Sequence, residues 1–149
     1  GETWQLGQRV SYENITGWCT EAQVAERADG VLVLSARNQD GKKARVLTHS
    51  ADGGATWAPA RYAEDLLTPP CMGSLVSQVD PSIPNTEAKR ENGQLFRSDD
   101  GGETWTQDQT VYPGGFAYSA LVVLQDGRLG CLYERDGYKA IGYAVLEVK

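Results

Sequence analysis

Short apolar stretches separated by glycine turns run through most of this chain. They are rich in β-branched and aromatic residues, and "ADG", "QDG" and "RDG" turns lie between them. Apolar runs of this length with turn residues at their ends predict β-strands, and no stretch carries the capped 3.6-residue period of a helix. We therefore expect an all-β fold with strands at residues 30–37, 44–50, 93–98, 119–124, 128–134 and 140–148.

Two proline-containing segments break this pattern. They are "LTPPCMGS" at residues 67–74 and "DPSIPNTEAKRENG" at residues 80–93. Proline cannot donate a backbone hydrogen bond to a central strand, and polar turn residues surround the prolines in the second segment. We expect both segments to be loops on the surface or on a rim.

An eight-residue phrase, S-x-D-x-G-x-x-W, occurs at residues 50–57 and again at residues 98–105. The chain also begins with "GETW", which matches the last half of the same phrase. The closing tryptophans recur about every fifty residues, a spacing typical of a supersecondary repeat such as the four-stranded blade of a β-propeller. The repeat therefore predicts consecutive blades rather than one continuous sheet.

Turn chemistry explains the phrase. The carboxylates of Asp52 and Asp100 can accept backbone N–H groups across a tight turn, and the glycine two residues later suits a positive φ. The closing tryptophan can bury a large apolar face against the hairpin. Calcium is the alternative for the acidic "SDDGGE" stretch, but its spacing differs from that of an EF-hand loop. We therefore expect structural turns and no metal site.

Charge and cysteine content narrow the classes of function. The 149 residues carry a net charge of −6, which disfavours a bulk nucleic-acid or anionic-membrane binder. An anionic ligand would need a local cluster of arginines. The three cysteines have no metal-ligand spacing, and their odd number indicates buried free thiols. No apolar run is long enough to predict a membrane span.

The repeated phrase resembles the Asp-box of sialidases. Asp-boxes recur in other β-propellers, so any functional assignment must come from residues outside them. Residues 19–38 resemble the sialidase segment in which an acidic residue, an apolar stretch and a turn lead to an arginine, here Glu21 and Arg37. Residues 69–74 are similar to a Cys-x-Gly-Ser strand start. Residues 89–105 resemble a stretch with a substrate-binding arginine before an Asp-box, which places that arginine at Arg90.

Residues 116–134 resemble the sialidase segment that carries the catalytic tyrosine and, one strand later, a Tyr-Glu pair. These positions are Tyr118 and Glu134. The resemblance covers nearly the whole chain in the order of the family. It implies that residues 1–149 are the C-terminal half of a sialidase catalytic domain, about three four-stranded blades of a six-bladed β-propeller. The first Asp-box is then cut at residue 1, and the N-terminal half of the propeller is the implied partner.

The resemblance implies an exo-α-sialidase that releases terminal sialic acid from glycoconjugates with retention. Tyr118 would be the nucleophile, since a neutral phenol avoids repulsion by the carboxylate of the substrate, and Glu21 its general base. Arg37 and Arg90 would hold that carboxylate. Glu134 would support a first arginine that, like the acid/base aspartate, has no counterpart here. The resemblance implies a sialylated glycan partner, no cofactor, and a secreted, periplasmic or lysosomal-like location rather than the cytoplasm.

Several alternatives stay open at this stage. Arg97 lies closer to the second Asp-box than Arg90 and could take its role. Each candidate also has an ordinary structural explanation: Glu21 as a strand-edge carboxylate, Arg37 as one half of a local ion pair, Tyr118 as a core aromatic. Glu134 could be an exposed rim charge. A non-catalytic Asp-box propeller that binds glycan or protein is the alternative to the enzyme.

Overall fold

The computed structural model describes residues 1–76, 79–84, 86 and 88–147. The described residues form ten β-strands. They are β1 (Cys19–Glu26), β2 (Leu32–Asn38), β3 (Ala44–Ser50), β4 (Arg61–Leu67), β5 (Ser74–Val76), β6 (Val79–Pro84), β7 (Glu91–Arg97), β8 (Thr106–Val123), β9 (Leu129–Arg135) and β10 (Ala140–Leu146). No helix in these ranges is long and apolar enough to cross a membrane.

The strands form antiparallel meanders. β1 to β4 make one four-stranded sheet in sequence order, and β5 to β10 make a second sheet in the order β10-β9-β8-β7-β6-β5. β8 joins two blades in the second sheet, because residues 106–115 pair with β7 and residues 116–123 pair with β9. The molecule therefore has a first blade of β1–β4, a second of β5 to the first half of β8, and three strands of a third.

Alternating side chains give each sheet two apolar faces. Val33 and Leu47 lie on one face of the first blade and pack against Phe96 and Trp105 of the second. The opposite face contributes Leu34, Ala36 and Val46 to a cluster with Ile15 of the N-terminal segment. Successive side chains of a strand point to opposite faces, so one strand supplies both cores. A third cluster, centred on Leu95, Phe116 and Leu129, joins the second and third blades.

One of the two loop predictions is partly wrong. Residues 79–84 form β6, which pairs with β5 and β7. The register with β7 shifts between Asp80 and Ile83, which accommodates Pro81, since a proline has no ladder N–H to donate. Residues 68–73 are loop, as expected. The predicted last strand ends at Leu146, and position 148 of that prediction lies outside the described residues.

The turn prediction for the repeated phrase is confirmed. Asp52 accepts the Thr56 amide at 2.8 Å, and Asp100 accepts the Thr104 amide at 2.9 Å. In each box the glycine two residues after the aspartate has a positive φ, 89° in the first and 95° in the second. Trp105 is only 7% exposed. The boxes connect β3 to β4 and β7 to β8, so both lie at the same end of their blades.

Candidate functional site

The end of the blades opposite the Asp-boxes carries the charged candidates. Glu21 lies near the start of β1 and is paired with the end of β2 through an irregular register. Thr20 opposes Arg37 and Gln23 opposes Ser35, so two residues of β1 lie opposite one residue of β2. Glu21 takes a φ of 47° at this bulge. A positive φ is costly for a residue other than glycine, and such strain gathers at functional sites.

Glu21 makes a closed hydrogen-bonded group with a tyrosine 97 positions away. The Tyr118 hydroxyl donates to one carboxylate oxygen of Glu21. Arg37 donates from Nη1 to the other oxygen at 2.9 Å and to the Tyr118 hydroxyl at 3.3 Å. The Arg37 side chain is 14% exposed and the Glu21 side chain 31%, so the arginine of this ion pair is mostly shielded while the carboxylate is partly open to solvent. The contacts join β1 and β2 of the first blade to β8 of the third.

The proton of this pair rests on the tyrosine. Burial raises the pKa of Glu21, but hydrogen bonds from Tyr118 and Arg37 and the charges of Arg37 and Arg90 outweigh it and lower the pKa overall. The hydrogen bond to Glu21 raises the pKa of Tyr118, and burial and the Glu21 charge add to the rise. The two arginines favour the phenolate but do not overcome Glu21. The resting pair is therefore carboxylate and neutral phenol.

Arg90 completes the group from the second blade. Its guanidinium carbon lies 5.5 Å from the centre of the Tyr118 ring. Nη2 donates to the Pro70 carbonyl at 3.0 Å, and Nη1 donates to the Tyr138 hydroxyl at 2.6 Å. Arg97, the alternative, pairs instead with Asp99 of the second Asp-box at 3.1 Å. The geometry thus favours Arg90 over Arg97 as the arginine beside Tyr118.

Glu134 contacts the same group through the backbone. It lies on β9, and its carboxylate accepts the Tyr118 amide N–H at 3.3 Å. The register between β8 and β9 shifts between Phe116 and Ser119, which frees the Tyr118 amide from the regular ladder. Glu134 therefore helps to fix the backbone of Tyr118. All five predicted site residues lie in one group.

Sequence reasoning missed two residues at the site. Tyr138 holds Arg90 from the β9–β10 turn, where Asp136, Gly137 and Tyr138 take φ values of 53°, 65° and 67°. The "RDG" pattern predicted the turn but not its contact with a residue 48 positions away. Arg45 is fully buried on β3. A charged residue within the apolar run "ARVL" is an unusual feature of a buried strand, and it was the available signal.

The described residues offer no alternative metal chemistry at this place. Within ranges 1–76, 79–84, 86 and 88–147, no three or more His, Cys, Asp or Glu side chains are grouped so that they could hold a metal ion. Cys71 and Cys131 are buried and Cys19 is half-buried, and none of the three forms a disulfide among the described residues. What the group does offer is a phenol hydrogen-bonded to a carboxylate, beside two guanidinium groups.

Comparisons with known proteins agree with this reading of the fold. Residues 1–131 match the family model described as the BNR repeat-like domain. The chain belongs to this BNR repeat-like family. The sialidase of Micromonospora viridifaciens is 29% identical over 148 residues, covering 90% of this chain and 22% of that protein. The resemblance to bacterial-type sialidases is therefore confirmed.

Solved structures place the chain in the same fold. The NanB sialidase of Streptococcus pneumoniae matches 99% of this chain and 26% of its own, with a TM-score of 0.78 at 21% identity. The intramolecular trans-sialidase of Ruminococcus gnavus matches 93% of this chain and 35% of its own, with a TM-score of 0.71 at 23% identity. The predicted all-β propeller class is confirmed. The chain spans 22%, 24% and 20% of the length of three curated relatives that it matches.

Proposed function

We propose that this chain is part of an exo-α-sialidase, a glycosidase that releases terminal sialic acid with retention through a glycosyl-tyrosine intermediate. The observation that best supports this proposal is a hydrogen-bonded group of three side chains. In it, the Tyr118 hydroxyl donates to Glu21, and Arg37 donates to both of these residues. A phenol needs a base to act as a nucleophile at neutral pH, and Glu21 is in direct contact with it.

The charges of the site suit a sialic acid substrate. Its anomeric carbon bears a carboxylate, so an enzyme must hold an anion next to the reacting atom. Arg37 and Arg90 flank Tyr118 from two blades, and a planar guanidinium binds a carboxylate with paired hydrogen bonds. These two arginines lie on either side of Tyr118 in a chain whose net charge is −6. An anionic ligand requires such a local group of positively charged side chains.

The first chemical step forms a bond between the Tyr118 oxygen and the anomeric carbon while the glycosidic C–O bond breaks. The phenol proton passes to Glu21, and the departing oxygen takes a proton from a general acid. In the second step, the general acid, now deprotonated, takes a proton from water, the water oxygen attacks the anomeric carbon and the bond to Tyr118 breaks. Glu21 returns its proton to the phenolate oxygen. Two displacements at one carbon give net retention.

Two groups of this mechanism are proposed to come from outside the sequence. They are the acid/base aspartate and the first of three arginines, which Glu134 would support. We propose that residues 1–149 belong to the C-terminal half of the catalytic propeller. The exposed apolar side chains Leu132, Ile141 and Tyr143 of the third blade suit this arrangement, since a following blade would cover them. We call the chain with those blades the complete catalytic protein.

A Tyr118→Phe variant of the complete catalytic protein tests the proposal. Hydrolysis of a fluorogenic sialoside should fall by at least about 100-fold, because the variant has no nucleophilic oxygen. Tyr112→Phe is the matched control, since its hydroxyl contacts Arg135 at 2.9 Å and Asp136 rather than Glu21. Unchanged turnover by Tyr118→Phe would reject the mechanism. A wild-type protein without turnover would instead favour a non-catalytic, glycan- or protein-binding propeller.

The glycosyl-tyrosine intermediate could pass its sialyl group to water or to another acceptor, and a trans-sialidase is among the similar structures. We propose hydrolysis, in which water takes the sialyl group from Tyr118. The measurement is product analysis of a sialoside reaction with and without lactose as an acceptor. Free sialic acid in both reactions is expected. A sialylated acceptor, or an anhydro sugar formed within the substrate, would reassign the second step to transfer.

A further inference from the structure

Arg45 is a buried cation without a salt bridge to a carboxylate among the described residues. It is 0% exposed, and its pKa falls to about 10 because burial disfavours the charge. The side chain is thus still protonated at neutral pH. Nε donates to the Ser35 hydroxyl at 3.0 Å and Nη1 to the Cys71 carbonyl at 2.8 Å. Nη2 is buried and has no hydrogen-bond partner in the described part of the chain.

An unpaired buried charge is among the costliest features that a core can contain. Arg45 therefore calls for an explanation other than packing, and its position supplies one. On β2 and β3, Ala36 opposes Val46, so the next residues outward along the two strands are Arg37 and Arg45.

Four titratable groups have the largest electrostatic effect on Arg45 among the described residues, and Glu21 is the carboxylate among these four. Cys71, in the loop after β4, and Cys19, on β1, both have raised pKa values because they are buried, so both are neutral thiols. Arg37, on β2, repels Arg45, and Glu21, on β1, attracts it. The carboxylate with the largest effect on Arg45 is thus Glu21, the hydrogen-bond partner of Tyr118.

Arg45 also shares a structural element with Arg90. Arg45 donates to the carbonyl of Cys71, and Arg90 donates to the carbonyl of Pro70 at 3.0 Å. Consecutive carbonyls of one loop are therefore held by two arginines, one from the buried interior and one from the site. A Cβ on Gly73 would lie 3.4 Å from the Arg45 guanidinium carbon, so this loop approaches Arg45 closely.

We propose that Arg45 is a positioning residue of the catalytic site, whose buried positive charge adds to those of Arg37 and Arg90 in keeping Glu21 ionised and whose hydrogen bond to Cys71 fixes the loop that holds Arg90. The inference rests on the proposed sialidase function for its effect on turnover. Its effect on the ionisation of Glu21 does not depend on that function, because it concerns only the charges of two groups on strands of the same sheet.

The test compares charge-removing and charge-keeping variants in the complete catalytic protein. In Arg45→Gln, the acidic limb of kcat/KM and the titration of the Glu21 carboxyl should both move upward by about one pH unit. In Arg45→Lys both should stay at the wild-type position. Arg61→Gln is the matched control, since Arg61 also donates to backbone carbonyls, those of Gly102 at 2.7 Å and Glu103 at 2.9 Å, but at the second Asp-box. Carbon-13 NMR of labelled glutamate, assigned with Glu21→Gln, follows the titration.

The outcomes separate the two proposals. A folded Arg45→Gln protein with a wild-type acidic limb and a wild-type Glu21 titration would overturn the role of Arg45. Arg45→Met removes the same charge and should give the same shift if the glutamine variant does not fold. Failure of both to fold would make Arg45 a packing residue and also overturn the proposal. A Glu21 titration that shifts in a protein without sialidase turnover would support Arg45 and reject the proposed function.

Discussion

The two ends of the same blades are built in different ways. At one end, each Asp-box closes on itself within eight residues, as in the contact between Asp52 and Thr56 four positions later. At the other end, Glu21 meets Tyr118 across 97 positions, and Arg90 meets Tyr138 across 48. The Asp-box turn is therefore determined by a local sequence motif. The group around Glu21 and Tyr118 forms only after three blades have packed together.

The two ends also differ in backbone strain and unpaired charge. In the Asp-boxes the positive φ values fall on glycines, which adopt them without steric strain. At the site they fall on Glu21 and Tyr138, and a buried arginine lies nearby with an unpartnered nitrogen among the described residues. Strain and unpaired charge persist where function requires them. The difference fits the proposal that the Asp-boxes stabilise the fold and that the opposite end carries the proposed catalytic site.

At the end of the blades that carries Glu21 and Tyr118, Glu21→Gln is expected to have the largest effect on the catalytic rate. The amide cannot accept the phenol proton, so kcat/KM for a sialoside should fall by about 10²- to 10⁴-fold. Glu26→Gln, at the other end of β1, is the control and should leave the rate unchanged. Steady-state kinetics on the complete catalytic protein measures both. Equal rates for the two variants would remove Glu21 from the mechanism.

At the Asp-box end of the blades, the corresponding variant is Trp105→Ala. Trp105 is 7% exposed and packs between the first two blades, so its truncation should cost about 3–5 kcal/mol of unfolding free energy. The rate per folded molecule should stay at the wild-type value. Trp18→Ala, at a residue 79% exposed, should change stability by at most about 0.5 kcal/mol. Denaturant unfolding compares them, and a large loss of turnover in folded Trp105→Ala would contradict the division between the two ends.

A smaller effect is expected from Tyr138→Phe. The variant removes the hydroxyl that accepts from Arg90 and keeps the aromatic ring. Loss of one hydrogen bond to a charged group should raise KM by about 3- to 10-fold, with kcat nearly unchanged. Tyr143→Phe on β10 serves as the control. A fall in kcat with unchanged KM would mean that Tyr138 acts on the chemical step rather than on Arg90.

The smallest effect concerns the exposed carboxylate of the first box. Hydrogen bonds from the Thr56 side chain and amide and from Ser50 lower the pKa of Asp52 to about 2. A lowered folded-state pKa contributes stability that is present above the ordinary value and lost as pH falls through about 2. Asp52→Asn removes this pH dependence. The difference in unfolding free energy between the wild type and the variant should therefore become smaller as the pH falls from about 5 to about 3. Unfolding midpoints in urea test this, and a constant deficit would contradict it.

Local patterns were enough to predict much of the fold. The box turns, the central strands of the blades and the loop at residues 68–73 follow from turn chemistry and short apolar runs. β1, β4 and β6 were harder to predict. Most side chains of β1 are exposed, and prolines lie within β6, so neither strand has the apolar alternation of a half-buried strand.

The features of the site can likewise be separated into those that the sequence could predict and those that it could not. The identities of Glu21, Arg37, Arg90, Tyr118 and Glu134 came from a family resemblance, because no local pattern connects them. The bulge at Glu21 and the contact of Tyr138 with Arg90 depend on how blades meet, and a single sequence carries no signal for either. Arg45 did have a signal, a charge within an apolar strand, but its meaning depended on its neighbours in space.

The central claim is that Tyr118 attacks the substrate. Its most direct test is peptide mass spectrometry of the complete catalytic protein after reaction with a fluorinated sialic acid that slows breakdown of the intermediate. We predict a sialyl adduct on the peptide that contains Tyr118, and none in Tyr118→Phe. An adduct on another residue, or turnover of the reagent without any adduct on Tyr118, would contradict the mechanism.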